Sequence, residues 1–247
     1  MCCKRSRHGA TFGGTNRTPH WSPDGMSIAY WSIDASPNSS IYRKAADGSG
    51  AAEKLYGGSD RTYIDAWSRD GSVMVLDHVS GQGQASNIAI LTLTGEPSIT
   101  PFLATDYDEW QSSFSPDGRW LAYISNESGT YQVYVVPFPA RGGKWQISTA
   151  GGFEPHWAPD GSKLYYHNAG QMMVVDVEAR PSFSASQPRV LFDGYRPLLM
   201  DSGMSYDITP DGQHILTTRS SREELLQNVN IVVNWAGTLE RVFKGSD

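Results

Sequence analysis

The stretch Trp21-Ser22-Pro23-Asp24-Gly25 decides the fold, because it recurs along the chain with little change. Each copy holds an aromatic or aliphatic residue, a small residue, usually a proline, and then Asp-Gly. Successive copies are 46, 47, 43 and 51 residues apart, a period typical of a solenoid, a propeller or an array. The other copies are Trp67-Ser68-Arg69-Asp70-Gly71, Phe114-Ser115-Pro116-Asp117-Gly118, Trp157-Ala158-Pro159-Asp160-Gly161 and Ile208-Thr209-Pro210-Asp211-Gly212.

The block has the chemistry of a tight β-turn. Proline presets φ at about −65° for the first central position, serine and aspartate side chains bond to the local backbone, and glycine takes the positive φ that closes the turn. An alternating apolar run such as Trp120-Leu121-Ala122-Tyr123-Ile124 follows each copy and predicts a strand. We therefore assign structural turn roles, rather than a shared carboxylate cluster, to the aspartates Asp24, Asp70, Asp117, Asp160 and Asp211.

Each repeat contains enough strand signals for four antiparallel strands. Gln132-Val133-Tyr134-Val135-Val136 is an example of the second strand after the turn, and Arg189-Val190-Leu191-Phe192 of the third. Together with the strand before the turn, they form a unit of the size and strand number of a propeller blade. The sequence therefore predicts an all-β fold, a β-propeller of four-stranded antiparallel blades. We expect the aromatic residue of each block to pack between neighbouring blades: Trp21, Trp67, Phe114 and Trp157.

The block, followed by an Ile-Ala-Tyr-type strand, resembles the WD40-like or PD40 repeat of TolB-like propellers. Similar repeats occur in tricorn-type proteases, in bacterial serine/threonine kinases and in prolyl-oligopeptidase relatives. The resemblance covers about residues 9–243. It implies a disordered tail at residues 1–7 and a single propeller domain at 8–247, with five blades at about 18–58, 60–104, 107–150, 153–196 and 203–243.

The number of blades departs from the six that the TolB-like family usually has. Residues 8–14 resemble the last strand of an earlier blade, and residues 230–235 resemble the closing end of propellers fused behind bacterial kinase domains. Two interpretations stay open. The chain is an incomplete six-bladed ring, or it closes as a smaller ring or pairs with another copy. An open ring would expose blade edges and favour self-association through them.

Composition and charge exclude several classes of protein. The formal net charge of −6 gives no basic footprint for nucleic acid. No apolar run reaches the ~18 residues of a membrane span, so we predict no membrane insertion. The first residues show no signal peptide, although the resemblance implies an extracytoplasmic location. The only cysteines, Cys2 and Cys3, are adjacent and predict no disulfide.

The best candidate for a ligand site is a set of polar residues near the starts of the inner strands, at the mouth of the predicted channel. His20 and His156 each precede a blade tryptophan by one position, and Asp207 occupies the equivalent place in the fifth repeat. Asp65 and Glu154 lie one or two positions earlier. This set would suit a small ligand or a divalent cation; no other cofactor is predicted. The alternative is that the five residues are ordinary polar residues of the rim, in contact with water.

No catalytic residue is predicted. The Gly-x-Ser-x-Gly pattern is absent from the sequence, and Gly203-Met204-Ser205-Tyr206-Asp207 lacks its final glycine. The sequence therefore favours a non-catalytic binding or scaffold propeller for a protein or peptide partner. Two alternatives remain: a hydrolase or lyase with its site at the channel mouth, and a detached sensor or regulatory propeller of a kinase or peptidase.

Overall fold

The computed structural model of the chain describes residues 15–33, 39–79, 85–140, 142–180, 182–195 and 204–217, and its regular elements there are all β-strands. The predicted tail at 1–7, the strand at 8–14 and the chain after residue 217 lie outside these ranges. The described part of the chain includes no helix with the length and hydropathy that a membrane span requires.

Three complete antiparallel sheets follow one another along the chain, each with four strands in sequential order. This arrangement confirms the predicted four-stranded blade. Blade 1 comprises β1 (Thr15–Trp21), β2 (Ser27–Ile33), β3 (Ser39–Ala45) and β4 (Glu53–Gly58); blade 2 comprises β5 (Arg61–Trp67), β6 (Val73–Val79), β7 (Asn87–Thr92) and β8 (Ser98–Leu103); blade 3 comprises β9 (Glu109–Phe114), β10 (Trp120–Ser125), β11 (Gln132–Pro137) and β12 (Trp145–Gln146).

The fourth and fifth repeats differ from this pattern. In blade 4, the long strand β15 pairs with two later strands, the short β16 near its end and β17 near its start. The fifth repeat is described only as a two-stranded hairpin. The strands are β13 (Phe153–Trp157), β14 (Lys163–Asn168), β15 (Gln171–Glu178), β16 (Ser184–Ala185), β17 (Arg189–Asp193), β18 (Tyr206–Ile208) and β19 (Ile215–Thr217).

The Asp-Gly turns join the first two strands of every repeat in the same way. In blade 3, the amide of Gly118 donates to the carbonyl of Ser115 at 2.8 Å, and Gly118 has a φ of 69°. A residue with a side chain would be strained in this conformation, so glycine is required there. Because the turn is fixed by its own residues, it sets the register of the two strands that it connects.

The hydrophobic core lies between successive blades. Three of the four block aromatics pack against the preceding blade. Trp157 is buried, which contributes roughly 1.5–3 kcal/mol, and Trp67 and Phe114 are half-buried. Trp157 also donates a hydrogen bond from Nε1 to the carbonyl of Ser113 in blade 3. Trp21 differs, since it is 44% exposed. The core clusters join Trp67 with Ala29 and Ile41, Phe114 with Val75 and Ile88, and Trp157 with Ala122 and Ile124.

Candidate functional site

The first strands of the blades lie side by side, with β1 against β5, β5 against β9 and β9 against β13. Three of them carry an irregularity at the same repeat position, three residues before the block aromatic. Thr18, Gln111 and Glu154 have φ values of 47°, 53° and 53°, and the pairing register shifts beside each. This left-handed conformation is sparsely populated by residues other than glycine. It persists only where surrounding contacts fix it.

For Gln111 and Glu154, hydrogen bonds between blades supply those contacts. The amide of Glu154 donates to Gln111 Oε1 at 3.0 Å, and the amide of Gln111 donates to Asp77 Oδ1 at 3.2 Å. The amide of Ser205, at the same position of the fifth repeat, donates to Glu154 Oε2 at 2.8 Å. We call Asp77, Gln111, Glu154 and Ser205 the interblade ladder. Each donor amide is bonded to a side chain of the preceding blade, so the ladder joins blades 2 to 5.

Blade 2 provides the acceptor for the ladder from a different strand than blades 3 and 4 do. Its residue three positions before the block aromatic is Ile64, which has no side-chain acceptor, and Asp77 on the neighbouring strand β6 provides one instead. Asp77 is also hydrogen-bonded to Asp65, whose Oδ2 accepts from the amide of Ser112 at 2.6 Å. Burial raises the pKa of Asp65 to about 6. Burial and the charge of Asp65 raise the pKa of Asp77 well above its usual range.

Glu154 is the most heavily bonded residue of the ladder. It is buried, and its Oε2 also accepts from Ser205 Oγ at 2.5 Å. Its backbone carbonyl accepts from the hydroxyl of Tyr206 at 2.7 Å, and its Oε1 lies 3.8 Å from His167 Nε2. The hydroxyl of Tyr195 lies 2.5 Å from Ser205 Oγ. These bonds fasten the fifth repeat to blade 4 and fix the position of the neighbouring side chains.

His156 and Asp207 form a pair at this junction of blades 4 and 5. Nε2 of His156 lies 3.6 Å from Asp207 Oδ1, and the Asp207 side chain is 73% exposed. Burial lowers the pKa of His156, and the charges of Asp207 and Glu154 oppose that shift. Nδ1 of His156 is buried without a hydrogen-bond partner among the described residues. The pair therefore presents an exposed carboxylate beside a largely uncharged imidazole.

His20 lies at the junction of blades 1 and 2, where it is hydrogen-bonded to the backbone of Ile64. Burial lowers the pKa of His20 to about 4, so the ring is neutral at physiological pH. Asp65 follows Ile64 along β5. A neutral imidazole bonded to the backbone is suited to holding two inner strands together.

The five predicted ligand residues therefore form two groups. Glu154, His156 and Asp207 come together between blades 4 and 5, while His20 and Asp65 lie near Ile64. Within the described ranges, no three histidine, cysteine, aspartate or glutamate side chains are arranged to hold a metal ion. Sequence reasoning missed Asp77, Gln111 and Ser205. The available signal was a polar residue three positions before the block aromatic, present in four of the five repeats as Thr18, Gln111, Glu154 and Ser205.

The five turn aspartates lie in separate turns, each accepting hydrogen bonds from residues of its own turn. Asp24 Oδ1, for example, accepts from Ser22 Oγ at 2.6 Å and from the amide of Met26 at 2.9 Å. These bonds lower the pKa of Asp24, and the turn bonds of Asp70 lower its pKa to about 2. A backbone amide two residues later donates an equivalent hydrogen bond to each of the other turn aspartates, Asp70, Asp117, Asp160 and Asp211.

Comparison with known proteins shows which solved structures have a similar fold. The chain is similar to the crystal structure of TolB from Acinetobacter baumannii, with 19% identity and a TM-score of 0.61 over 82% of this chain and 48% of that one. A TolB structure from Agrobacterium tumefaciens gives 19% identity and a TM-score of 0.60, over 81% of this chain and 73% of that one.

The periplasmic gluconolactonase of Pseudomonas aeruginosa has 17% identity and a TM-score of 0.51, over 81% of this chain and 61% of that one. At these identities the likenesses show the fold alone. The chain thus spans about half the length of the Acinetobacter structure. No curated protein matches the sequence. The sequence profile of PD40, the TolB beta propeller domain, matches residues 17–242, and the chain belongs to this family.

Proposed function

We propose that the chain is a non-catalytic binding propeller for a protein or peptide partner, and that the junction of blades 4 and 5 contacts this partner. The observation that carries the proposal is the exposed carboxylate of Asp207, 3.6 Å from His156. The residues around the pair are already fixed, since Tyr206 donates to the carbonyl of Glu154 at 2.7 Å. Binding sites gain affinity when their groups are held in place before the ligand arrives.

The charge of the pair indicates which ligand group it would recognise. Asp207 offers carboxylate lone pairs, and the lowered pKa of His156 leaves that ring largely neutral. A lysine or arginine side chain of a partner peptide would complement this arrangement. A divalent cation is a further positively charged ligand, although the pair offers it a single exposed carboxylate, that of Asp207. The TolB-like resemblance also favours an extracytoplasmic setting for this binding.

The test begins with selection of peptides from a random display library on the immobilised chain. Selected peptides are then titrated calorimetrically against the wild type, Asp207→Asn and the control Glu96→Gln, an exposed carboxylate in the turn between β7 and β8. We expect Asp207→Asn to weaken binding at least about threefold, because an interfacial charge pair is lost. Equal affinity for the wild type and Asp207→Asn would reject this site.

A hydrolase or lyase remains the second candidate, and the His156–Asp207 pair is the observation that favours it. A histidine held beside a carboxylate is an arrangement that general bases use. A panel of ester, peptide, glycoside and lactone substrates tests this directly. Turnover that disappears in His156→Ala would replace the binding proposal with an enzymatic one. A sensor propeller would instead bind a small molecule without turnover in the same calorimeter.

A further inference from the structure

The interfaces between blades 2 and 3 and between blades 3 and 4 differ at one equivalent position. Trp120, the first residue of β10, lies three residues after the turn aspartate of blade 3. Its ring packs 5.5 Å from Trp145 and 4.9 Å from Phe183. The equivalent residue in blade 2 is the much smaller Val73. The chain thus has a tryptophan at one interface and a valine at the corresponding place in the other.

A groove of about 700 Å³ lies beside Val73, between the turns of blades 2 and 3. Its inner surface is apolar and includes the side chains of Ile90, Phe102 and Phe138. The ring of Phe138 lies 5.3 Å from Phe102 and 4.9 Å from Phe114, so these rings support one another. The volume falls in the range of sites that hold small ligands or side chains. An aromatic side chain would find ring contacts there like those of Trp120.

The rim of the groove carries one arginine where the other four repeats have proline. Arg69 contacts the carbonyl of Pro116 at 3.4 Å, and its guanidinium has five N–H donors. The two rim carboxylates are bonded to their own turns: Asp70 accepts from Ser68 and Ser72, and Asp117 accepts from Ser115 and Arg119. These bonds lower the pKa values of Asp70 and Asp117, so both carboxylates stay ionised, and Arg69 is the cation among the lining residues that a ligand carboxylate could bind. Its planar fork matches a carboxylate.

We propose that this groove binds an extended peptide segment of a partner protein, which inserts an aromatic side chain against Phe102 and Phe138 and places a neighbouring acidic side chain on Arg69. This inference rests on the proposed binding function and adds a second contact region with its own ligand chemistry. The aromatic side chain supplies apolar burial, and the carboxylate fixes the direction of the peptide. The groove and the pair of His156 and Asp207 lie at different junctions of the propeller.

The probe is the peptide acetyl-Gly-(4-fluoro-Phe)-Asp-Gly-amide, whose ¹⁹F signal reports binding without interference from the protein's own tryptophans. Two variants address the two parts of the site. Val73→Trp introduces the residue that blade 3 has at this position and fills the groove. Arg69→Pro introduces the residue that the other repeats have in the turn and removes the guanidinium. Urea unfolding of each variant checks that the fold is retained.

We expect saturable binding to the wild type and at least about a tenfold loss in Val73→Trp, because the introduced indole would occupy the space that the aromatic ring of the peptide needs. Arg69→Pro should weaken the aspartate peptide at least about threefold, and it should leave the affinity of the matching asparagine peptide unchanged. No saturable binding at a few millimolar peptide would overturn the proposal. So would equal binding by Val73→Trp, or tighter binding of a lysine analogue.

The same variants separate this proposal from the proposed function. Library-selected peptides that lose affinity with Asp207→Asn but not with Val73→Trp or Arg69→Pro would keep the binding function and reject the groove. Selected peptides that lose affinity with Val73→Trp and Arg69→Pro but not with Asp207→Asn would support the groove and reject the junction of blades 4 and 5. If Val73→Trp unfolds, Arg69→Pro with the paired aspartate and asparagine peptides still decides the question.

Discussion

The amide of Glu154 donates a hydrogen bond of 3.0 Å to Oε1 of Gln111, a residue on the first strand of the preceding blade. Both residues adopt positive φ values of 53°. The unusual backbone turns an amide of one blade towards the side chain of the blade before it. The bulge and the hydrogen bond therefore depend on each other, and together they join the inner strands of adjacent blades.

Gln111→Leu should destabilise the fold by about 1–3 kcal/mol, because the buried amide of Glu154 loses its acceptor while the side chain at position 111 keeps a similar volume. Chemical denaturation with urea measures the change. Gln187→Leu is the matched control, since Gln187 is exposed and its change should remain within about 0.5 kcal/mol. Equal effects of the two substitutions would show that the bond to Glu154 adds nothing to stability.

The sequence predicted the parts of the fold that depend on neighbours in the chain. Ser115 and Asp117 bond to each other and to amides within five residues, so a short pattern suffices to identify the turn. The partners of Gln111 lie 34 and 43 residues away, and they become neighbours only when blades stack. Asp77 was harder still to predict, because it occupies a different strand from the other members of the interblade ladder.

The sequence indicated which types of residue lie near the candidate site, but it did not indicate which of them contact one another. Histidine and acidic residues at equivalent repeat positions indicated a common set, and His156 with Asp207 does form a pair. His20 and Glu154 are instead engaged by backbone and hydroxyl groups of adjacent blades. Their hydrogen-bonding capacity is taken up by the fold, which a repeat alignment alone does not reveal.

The pair of Asp65 and Asp77 should make the fold less stable as the pH rises. Both carboxyls have raised pKa values in the fold, with that of Asp65 moving from 3.8 to about 6. The folded chain therefore binds more protons than the unfolded chain over this window. The stabilisation contributed by the protonated pair is complete below the unfolded pKa, and it is lost as the pH rises through the folded values.

Asp77→Asn removes one titrating group and keeps an acceptor for the amide of Gln111. Urea unfolding at pH 5 and pH 8 should show that the wild type loses about 1–3 kcal/mol relative to this variant over the interval. Glu96→Gln, at an exposed position, should leave the pH dependence of the wild type intact. A constant difference between the wild type and Asp77→Asn at both pH values would contradict the prediction.

Asp207→Asn should lower the pKa of His156 further, because the charge of Asp207 opposes the desolvation that already lowers it. Titration of the imidazole resonances by NMR measures the shift. His20 serves as the internal control, since burial rather than Asp207 holds its pKa at about 4. An unchanged or raised pKa for His156 would mean that Asp207 does not act on the ring in solution.

Blade 4 lacks one hydrogen-bonding group that the equivalent turn of blade 2 has. In blade 2, Ser68 Oγ donates to Asp70 Oδ1 at 2.7 Å and accepts from the amide of Val73 at 3.0 Å. The same aspartate oxygen also accepts from the amide and hydroxyl of Ser72. Asp160 and Ser162 repeat this last arrangement in blade 4, but Ala158 replaces the first serine.

Ala158→Ser should therefore stabilise the protein by about 0.5–1.5 kcal/mol, since a new hydroxyl would bond both Asp160 and the amide of Lys163. Ser68→Ala is the reverse change and should destabilise it by a similar amount, because the amide of Val73 loses its acceptor. Urea midpoints of the two variants and the wild type measure both effects. Ala158 is only 4% exposed, so a loss of stability in Ala158→Ser would mean that the turn of blade 4 is packed too tightly to accept an oxygen atom.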